Sequence, residues 1–521
     1  MSELDAILKE KDDLITSLSN NNSALKHENE LLQRQIILLK EHLTSSKKRE
    51  FGPKSEKTRN LFNFEDPDIF NETEIVSDET APELNIAKVF ESAKTNAKLK
   101  ETLESFESEE IVYELTNDEL NCDCGHTMHE VSKETVKELK YIPEQFKVIK
   151  HHQKVYACRG CEKNEINTTF KKAKMKPRPF PNSVLSSSLA AKIVYDKFKM
   201  GLPLYRQAAH YYDKGAEFTR KNLGNWLLRT SDTLLPIYEK MKSSLINERY
   251  FHADETSFQV LKVPGKKATS NSFMWVYLNN DDNKPNCIYQ YSPTRQGIYP
   301  KNFLEGFKGY LTTDGYGGYN NIPGVITAGC FFHARKYFVE SYELKGETNM
   351  SVSKVFIDSF NKLFEIENRI KSLSSEKRTE IRNKESKKII DSIYKNLISY
   401  RDKVMPNSKL GKAINYSLNQ WSHLIKFLED ERIEISNNRA ERAIKPFVIG
   451  RKNWLFANSV KGAKSSEILY SIVETAKLNK LDIYEYLFYV IDHFEDLKDE
   501  SKVYDYLPFS NKLPEKLKVL A

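Results

Sequence analysis

Tyr250-Phe251-His252-Ala253-Asp254-Glu255-Thr256-Ser257-Phe258-Gln259-Val260-Leu261 reads as a half-buried strand with an acid in its middle. Phe258 and Val260 alternate with polar residues, the period-2 pattern of a sheet with one covered face, and a carboxylate in such a run is costly. Two other segments repeat the oddity. Residues 309–313 read as a second strand that leads into Asp314-Gly315-Tyr316. Asn437-Asn438-Arg439-Ala440-Glu441-Arg442 reads as a short helix that Asn437 would cap and Pro446 would end, with Asn438 three residues before Glu441 on the same face. A chain with 73 acidic residues places some at strand ends and on helix faces by chance, so one such acid decides nothing. Two at strand ends and a third on a later helix form the set that a two-metal phosphoryl-transfer site uses, with three carboxylates holding two Mg²⁺ ions about 3.5–4 Å apart. Asp254, Asp314 and Glu441 are therefore the candidate catalytic residues and Mg²⁺ ligands.

Outward from the first strand, residues 250–336 alternate short strands and turns, with strands expected at 250–261, 272–278, 286–291, 310–314 and 325–332. Three strands come in quick succession before the first helix, unlike the alternation of an ordinary α/β sheet. The order suits a ribonuclease-H-like sheet, whose first and fourth strands are neighbours and would bring Asp254 and Asp314 together. Asp254-Glu255-Thr256, Thr313-Asp314-Gly315-Tyr316 and Asn437-Asn438-Arg439-Ala440-Glu441-Arg442-Ala443-Ile444-Lys445-Pro446 resemble the three acidic motifs of the insertion sequence 66 family of bacterial transposases. Gly450-Arg451-Lys452-Asn453-Trp454-Leu455-Phe456-Ala457 resembles the family's continuation of the third motif, and Ser436 stands where many members carry an acid. The resemblance implies a ribonuclease-H-like core with a DDE triad, cleavage at the ends of a mobile element and strand transfer into target DNA. It also implies accessory proteins of the same element as partners and a place at the bacterial nucleoid.

Between the second and third acids, residues 339–430 are charged, helix-rich and nearly free of Pro and Gly, which marks a helical insertion in a core spanning 250–480. After Glu441, the bases Arg442, Lys445, Arg451, Lys452 and Lys461 interleave with Trp454 and Phe456, a mixture that tracks phosphates and stacks on or wedges between bases. Core packing is an equal reading for Trp454. Cys330-Phe331-Phe332-His333-Ala334-Arg335 has no second ligand pair nearby to make it a zinc site. It is similar to a Cys-x-x-His motif that several DDE groups carry after the second acid, which implies that His333 lies at the edge of the active site against DNA or a phosphate. Arg335 is a further DNA-contact candidate.

At 521 residues the chain is too long for one core, and three or four domains are expected. Residues 1–46 carry a heptad with Leu4, Leu18, Leu25, Leu32 and Leu39 at d and with Asn22 and Asn29 among the a positions. That pattern favours a parallel two-stranded coiled coil and hence a homodimer; the alternative is a lone amphipathic helix. Residues 47–110 are a basic segment followed by an acidic linker, in which residues 61–110 hold fourteen acids against four lysines. The net charge of +7 thus conceals a basic body, consistent with a DNA partner. In residues 111–170, Cys122-Asp123-Cys124 and Cys158-Arg159-Gly160-Cys161 flank strand-like runs, as in a structural zinc ribbon. The tight first pair leaves room for His126 or His129 to replace one cysteine.

Residues 183–249 are helical. Gly215 followed by a helix capped by Thr219 and carrying Arg220 and Lys221 reads equally as a helix-turn-helix or a plain bundle, and residues 481–521 close the chain as a helical segment. No apolar run reaches membrane-span length, the start lacks a signal-peptide pattern, and six cysteines do not make a disulfide scaffold, so the expected compartment is the cytoplasm. Two other functions use the same residues: a DNA-binding regulator with an inactive core, and a hydrolase of small phosphoesters, against which the basic excess and the heptad argue.

Overall fold

A computed structural model describes residues 144–158, 170–344 and 352–519. The heptad of 1–46, the linker of 47–110 and the candidate zinc ligands Cys122, Cys124 and Cys161 lie outside the described residues. The chain divides into two units, one of which is 54–149 and is described only over its largely exposed last six residues. Every described helix and strand belongs to the other unit. Its first element is a small antiparallel pair, Val155–Ala157 with Phe170–Lys172, and Cys158 follows directly, exposed.

The sheet is built from β1 (Tyr250–Lys262), β2 (Asn271–Asn279), β3 (Cys287–Ser292), β4 (Gly309–Thr312), β5 (Val325–Ala328) and β6 (Phe456–Ser459). Its order is β3-β2-β1-β4-β5, with β1, β2 and β3 antiparallel and β4 and β5 parallel to β1. β1 pairs with β2 from Phe251 to Gln259. On its other edge it pairs first with β4, at Tyr250–His252, and then with β6, at Gln259–Lys262. Between these two partners the edge is open at residues 253–258, and Asp254 stands in that fork. The outer edge of the sheet is closed by side chains, because the N–H groups of Cys287, Tyr289 and Tyr291 donate to Thr475 Oγ1, Ser471 Oγ and Glu467 Oε2 at 3.0, 2.8 and 2.7 Å. Acceptors four residues apart on a helix match donors two apart on a strand, which removes an unpaired edge.

Before the sheet come α1 (Ser187–Val194), α2 (Leu204–Asp213) and α3 (Arg220–Ile246). Thr219 caps α3 as its sequence suggests, exchanging hydrogen bonds with Asn222 at 3.1 and 3.2 Å. Leu223, Leu227, Leu234, Ile237, Met241 and Leu245 then bury one stripe of α3 in a core shared with the sheet. After β5 come α4 (Phe331–Leu344), α5 (Val352–Ile370), α6 (Lys387–Arg401) and α7 (Lys409–Asn419), which surround a second apolar core of Phe338, Phe356, Phe360, Leu363, Ile393 and Ile414 among others. The chain returns through α8 (Asn438–Trp454), β6 and α9 (Val460–Leu478) to α10 (Ile483–Asp492), and these rejoin the first core.

Three local expectations are corrected. The strand expected over 325–332 ends at Ala328, because Phe331, Ala334 and Phe338 recur at helical spacing and are buried by the second core. β4 ends at Thr312, so Asp314 sits in the turn beyond it. Pro446 does not end the third-motif helix, which runs through it for two more turns to Trp454. The bond that proline forfeits is the one to the carbonyl of Arg442, a residue at the helix surface, so water can replace it. Phe447, just after the proline, is buried against Phe258 at 5.1 Å and anchors the continuation.

Candidate active site

β1 and β4 are parallel and in register with an offset of sixty, Tyr250 opposite Tyr310 and His252 opposite Thr312. Asp254 and Asp314 each lie two residues beyond the last paired position, Asp314 in the turn after β4. Side chains on a strand alternate between faces, and those of β1 do so visibly. Phe251 stacks on Phe307 and Glu255 accepts from Tyr319 on one face, whereas Phe258 and Thr256 meet Phe447 and Arg451 of α8 on the other. Asp254 belongs to the α8 face, and Glu441 is in the first turn of α8. Burial first, then the neighbouring carboxylates of Glu255, Asp314 and Glu441, push Asp254 up to about 8, against its own hydrogen bond from the Glu255 N–H at 2.8 Å. The three acids of the separate motifs thus share one electrostatic neighbourhood.

The turn carrying Asp314 is held on three sides. Its Oδ1 accepts from the Tyr316 N–H at 2.9 Å, its carbonyl accepts from the Tyr416 hydroxyl of α7 at 2.8 Å, and Gly315 adopts φ +94°. A side chain at Gly315 would also crowd Gln420 and Tyr416, within 3.1–3.2 Å. The helical insertion therefore touches the second acid directly. Glu255, pointing away from α8, accepts from Arg295 Nε at 2.8 Å and from the Tyr319 hydroxyl at 2.9 Å; Arg295 lies 3.9 Å above the Tyr316 ring. Burial raises the Glu255 carboxyl, and the bonds from Arg295 and Tyr319 counteract it.

Asn437 does not cap α8. Its buried side chain donates to the Ala253 carbonyl at 2.8 Å and faces His252 Nδ1 through Oδ1 at 3.2 Å, while its backbone N–H donates to Cys330 Sγ at 3.1 Å. One residue thus ties β1, the start of α4 and the Glu441 helix together, and it supplies a donor to the open edge of the fork. His252 is buried between Asn437 and Glu434, whose Oε2 is 3.9 Å from Nε2, and burial lowers its imidazole pKa. Glu434 in turn pairs with Arg439, which also reaches Asp282 at 2.7 Å. Sequence reading passed over His252, although a histidine two residues before an acid on the same strand face is the available signal.

His333 Nδ1 lies 3.8 Å from Glu441 Oε1, and neither atom has a hydrogen-bond partner among the described residues. Cys330 Sγ lies within 4.8 Å of both. This thiol is committed elsewhere: it accepts backbone N–H bonds, and burial pushes it up to about 12, so a thiolate ligand is disfavoured.

Comparison with known proteins decides the family to which this geometry belongs. Residues 182–465 match the family model described as Transposase IS66 family. The chain belongs to that family. Residues 119–162 match the zinc-finger binding domain of transposase IS66, a span that contains all four candidate cysteines. Among curated relatives, the uncharacterized protein y4hP of Sinorhizobium fredii is 28% identical over 417 residues, covering 75% of this chain and 73% of the relative. The uncharacterized protein y4jD of the same organism is 29% identical over 383 residues, covering 71% and 73%.

The IS66-family core distributes the basic candidates unevenly. Arg442, Lys445 and Lys452 lie at the surface of α8, and Arg451 donates to Thr256 Oγ1 at 3.2 Å, two positions along the strand from Asp254. Arg335 departs from expectation. It is buried in α4 and donates to Asn361 Oδ1 at 2.7 Å, so it packs the insertion and is withdrawn from any DNA surface. Trp454 packs edge-on against Phe447 and Phe258 at 5.4 and 6.3 Å, which is the core role of its two readings. No helix among the described residues is long and apolar enough to cross a membrane.

Proposed function

We propose that this IS66-family transposase cleaves DNA at the ends of its element and joins them to target DNA, with Asp254, Asp314 and Glu441 as the ligands of two Mg²⁺ ions. The observation that supports the reading is the register of β1 and β4, which continued past Thr312 would bring Asp314 level with Asp254 at the open fork, with Glu441 of α8 in the same electrostatic neighbourhood. The donor set suits a hard divalent cation, since all three residues offer oxygen. Glu441 Oε1 is buried with no hydrogen-bond partner among the described residues, and mutual repulsion contributes to the rise of Asp254; both support a cation held among these acids. Bound there, divalent ions would supply an activated oxygen nucleophile and stabilise the leaving oxygen.

The protein's own residues fix the elements that carry the acids. Asn437 fixes α8 to β1, Tyr416 and Gly315 fix the Asp314 turn, and Glu255 with Arg295 and Tyr319 braces that turn from the opposite face. The strand order supports our reading of the core as ribonuclease-H-like, and Cys122, Cys124, Cys158 and Cys161 hold one structural Zn²⁺ in our reading. Residues 1–46 would pair two copies.

The test uses purified full-length protein, Mg²⁺ and the DNA that flanks its own coding sequence. Asp254→Ala, Asp314→Ala and Glu441→Ala should each reduce cleavage and transfer to background while leaving DNA affinity nearly unchanged, because affinity comes mainly from phosphate contacts. Cleavage surviving in all three variants would remove the mechanism.

A further inference from the structure

α8 ends in an unusual way. Leu455 has φ +63° and ψ −55°, the region of the classic γ-turn, which side-chain-bearing residues rarely occupy. It is held there by its N–H, which donates to the Arg451 carbonyl at 2.7 Å, and by Phe456, which at once begins β6 opposite Gln259. The conformation leaves both side chains exposed, Leu455 by 64% and Phe456 by 43%. Beneath them Trp454 is packed into the core, with Lys197 5.4 Å above its ring, and Arg451 and Lys452 occupy the preceding turn. Two apolar side chains therefore protrude from a basic helix end, on a backbone that a glycine would adopt more readily.

We propose that Leu455, supported by Phe456, is a wedge that enters between base steps of the bound DNA duplex and unstacks them. Apolar wedges flanked by cations are how proteins kink a duplex whose phosphates they already hold. Phe456 pairs opposite Gln259, five positions along β1 from Asp254, and Leu455 precedes it, so the wedge stands roughly 13–16 Å along the strand from the acid at about 3.3 Å per residue. That separation is about four to five base steps at a rise of about 3.4 Å per step. The inference rests on DNA binding by this family member and not on the assignment of its three acids.

The experiment is done without divalent cation, so a failure of the catalytic assignment leaves its readout untouched. Duplexes of the element's end sequence carry 2-aminopurine at successive positions, and full-length protein is added at saturation. Fluorescence should rise several-fold at one step, and the rise should vanish with Leu455→Gly and persist with Leu455→Phe. Leu455→Gly should melt no lower than the parent protein, since glycine relaxes the positive φ and a largely exposed side chain has little packing to lose. A full rise retained by Leu455→Gly, or no unstacked step in the parent complex, would overturn the proposal. So would a clear fall in the melting midpoint of Leu455→Gly, which would make the leucine a packing residue, or a change in the oligomeric state of the DNA-free protein, which would make it a subunit contact.

Discussion

Asn437 donates its side-chain amide to the carbonyl of Ala253 at 2.8 Å, across 184 residues of sequence, and so links the residue before the first acid to the helix that carries the third. The bond lies where β1 has no strand partner between β4 and β6. Asn437→Ala would strand the Ala253 carbonyl and His252 Nδ1 in a buried position. We expect a loss of about 2–3 kcal/mol in urea unfolding, at about 1–3 kcal/mol per unsatisfied buried group, together with weaker Mg²⁺-dependent cleavage. Unchanged stability would show that the amide bond is dispensable.

Glu255 is adjacent to Asp254 but faces the other side of the sheet, bound by Arg295 and Tyr319. Glu255→Gln should therefore lower stability by about 1–3 kcal/mol through the weakened pair with Arg295, while impairing cleavage much less than Asp254→Asn. Parallel cleavage assays decide this, and the reverse order of severity would reassign the first ligand to Glu255.

Arg382 is buried in the insertion, where its guanidinium pairs with both oxygens of Glu367 at 2.9 and 2.6 Å and donates to the carbonyls of Phe427, Asp430 and Ile433. It staples the segment leading to Asn437. Arg382→Met leaves the half-buried Glu367 without its cation and three carbonyls without their donor, and the expected cost is about 3–5 kcal/mol. Hydrogen exchange should show the loss of protection concentrated in residues 352–435; uniform protection across the chain would contradict the staple.

Glu467 accepts from the Tyr238 hydroxyl at 2.9 Å and from the Tyr291 N–H, and burial, opposed by those two bonds, lifts its carboxyl to about 7. The folded state thus holds the proton more tightly than the unfolded chain. Its contribution is full at pH values below the unfolded pKa near 4.5 and is lost as pH rises through about 7. Glu467→Gln mimics the protonated acid and should flatten this part of the stability profile in urea titrations. A slope unaltered by the substitution would place the titration elsewhere.

About one zinc per chain is expected from elemental analysis of protein prepared without chelator. Removing it should unfold the cysteine-bearing segment and leave the unfolding transition of residues 170–519 in place. Protein free of zinc yet fully folded over 111–170 would contradict the ribbon.

The strand carrying Asp254 and the capped start of α3 were legible in the sequence, because each depends on neighbours within a few residues: an alternating run and a Thr219–Asn222 box. The helical insertion was legible for the same reason, through a long stretch with little Pro or Gly. Other features were decided only when distant segments met. Asn437, a plausible cap by its position, was taken instead by Ala253 and by Cys330, the latter 107 residues away. Phe331 left the expected strand for a helix because the insertion offered a second core to bury it. Pro446 sits inside α8 because Phe447 packs beyond it on Phe258, a gain that local propensity cannot register. Arg335 and Trp454 look like DNA contacts when counted as charge and aromaticity, but Asn361 and Phe447 turn them inward. Composition specifies which groups can meet a phosphate, whereas burial by partners remote in sequence specifies which of them remain at the surface.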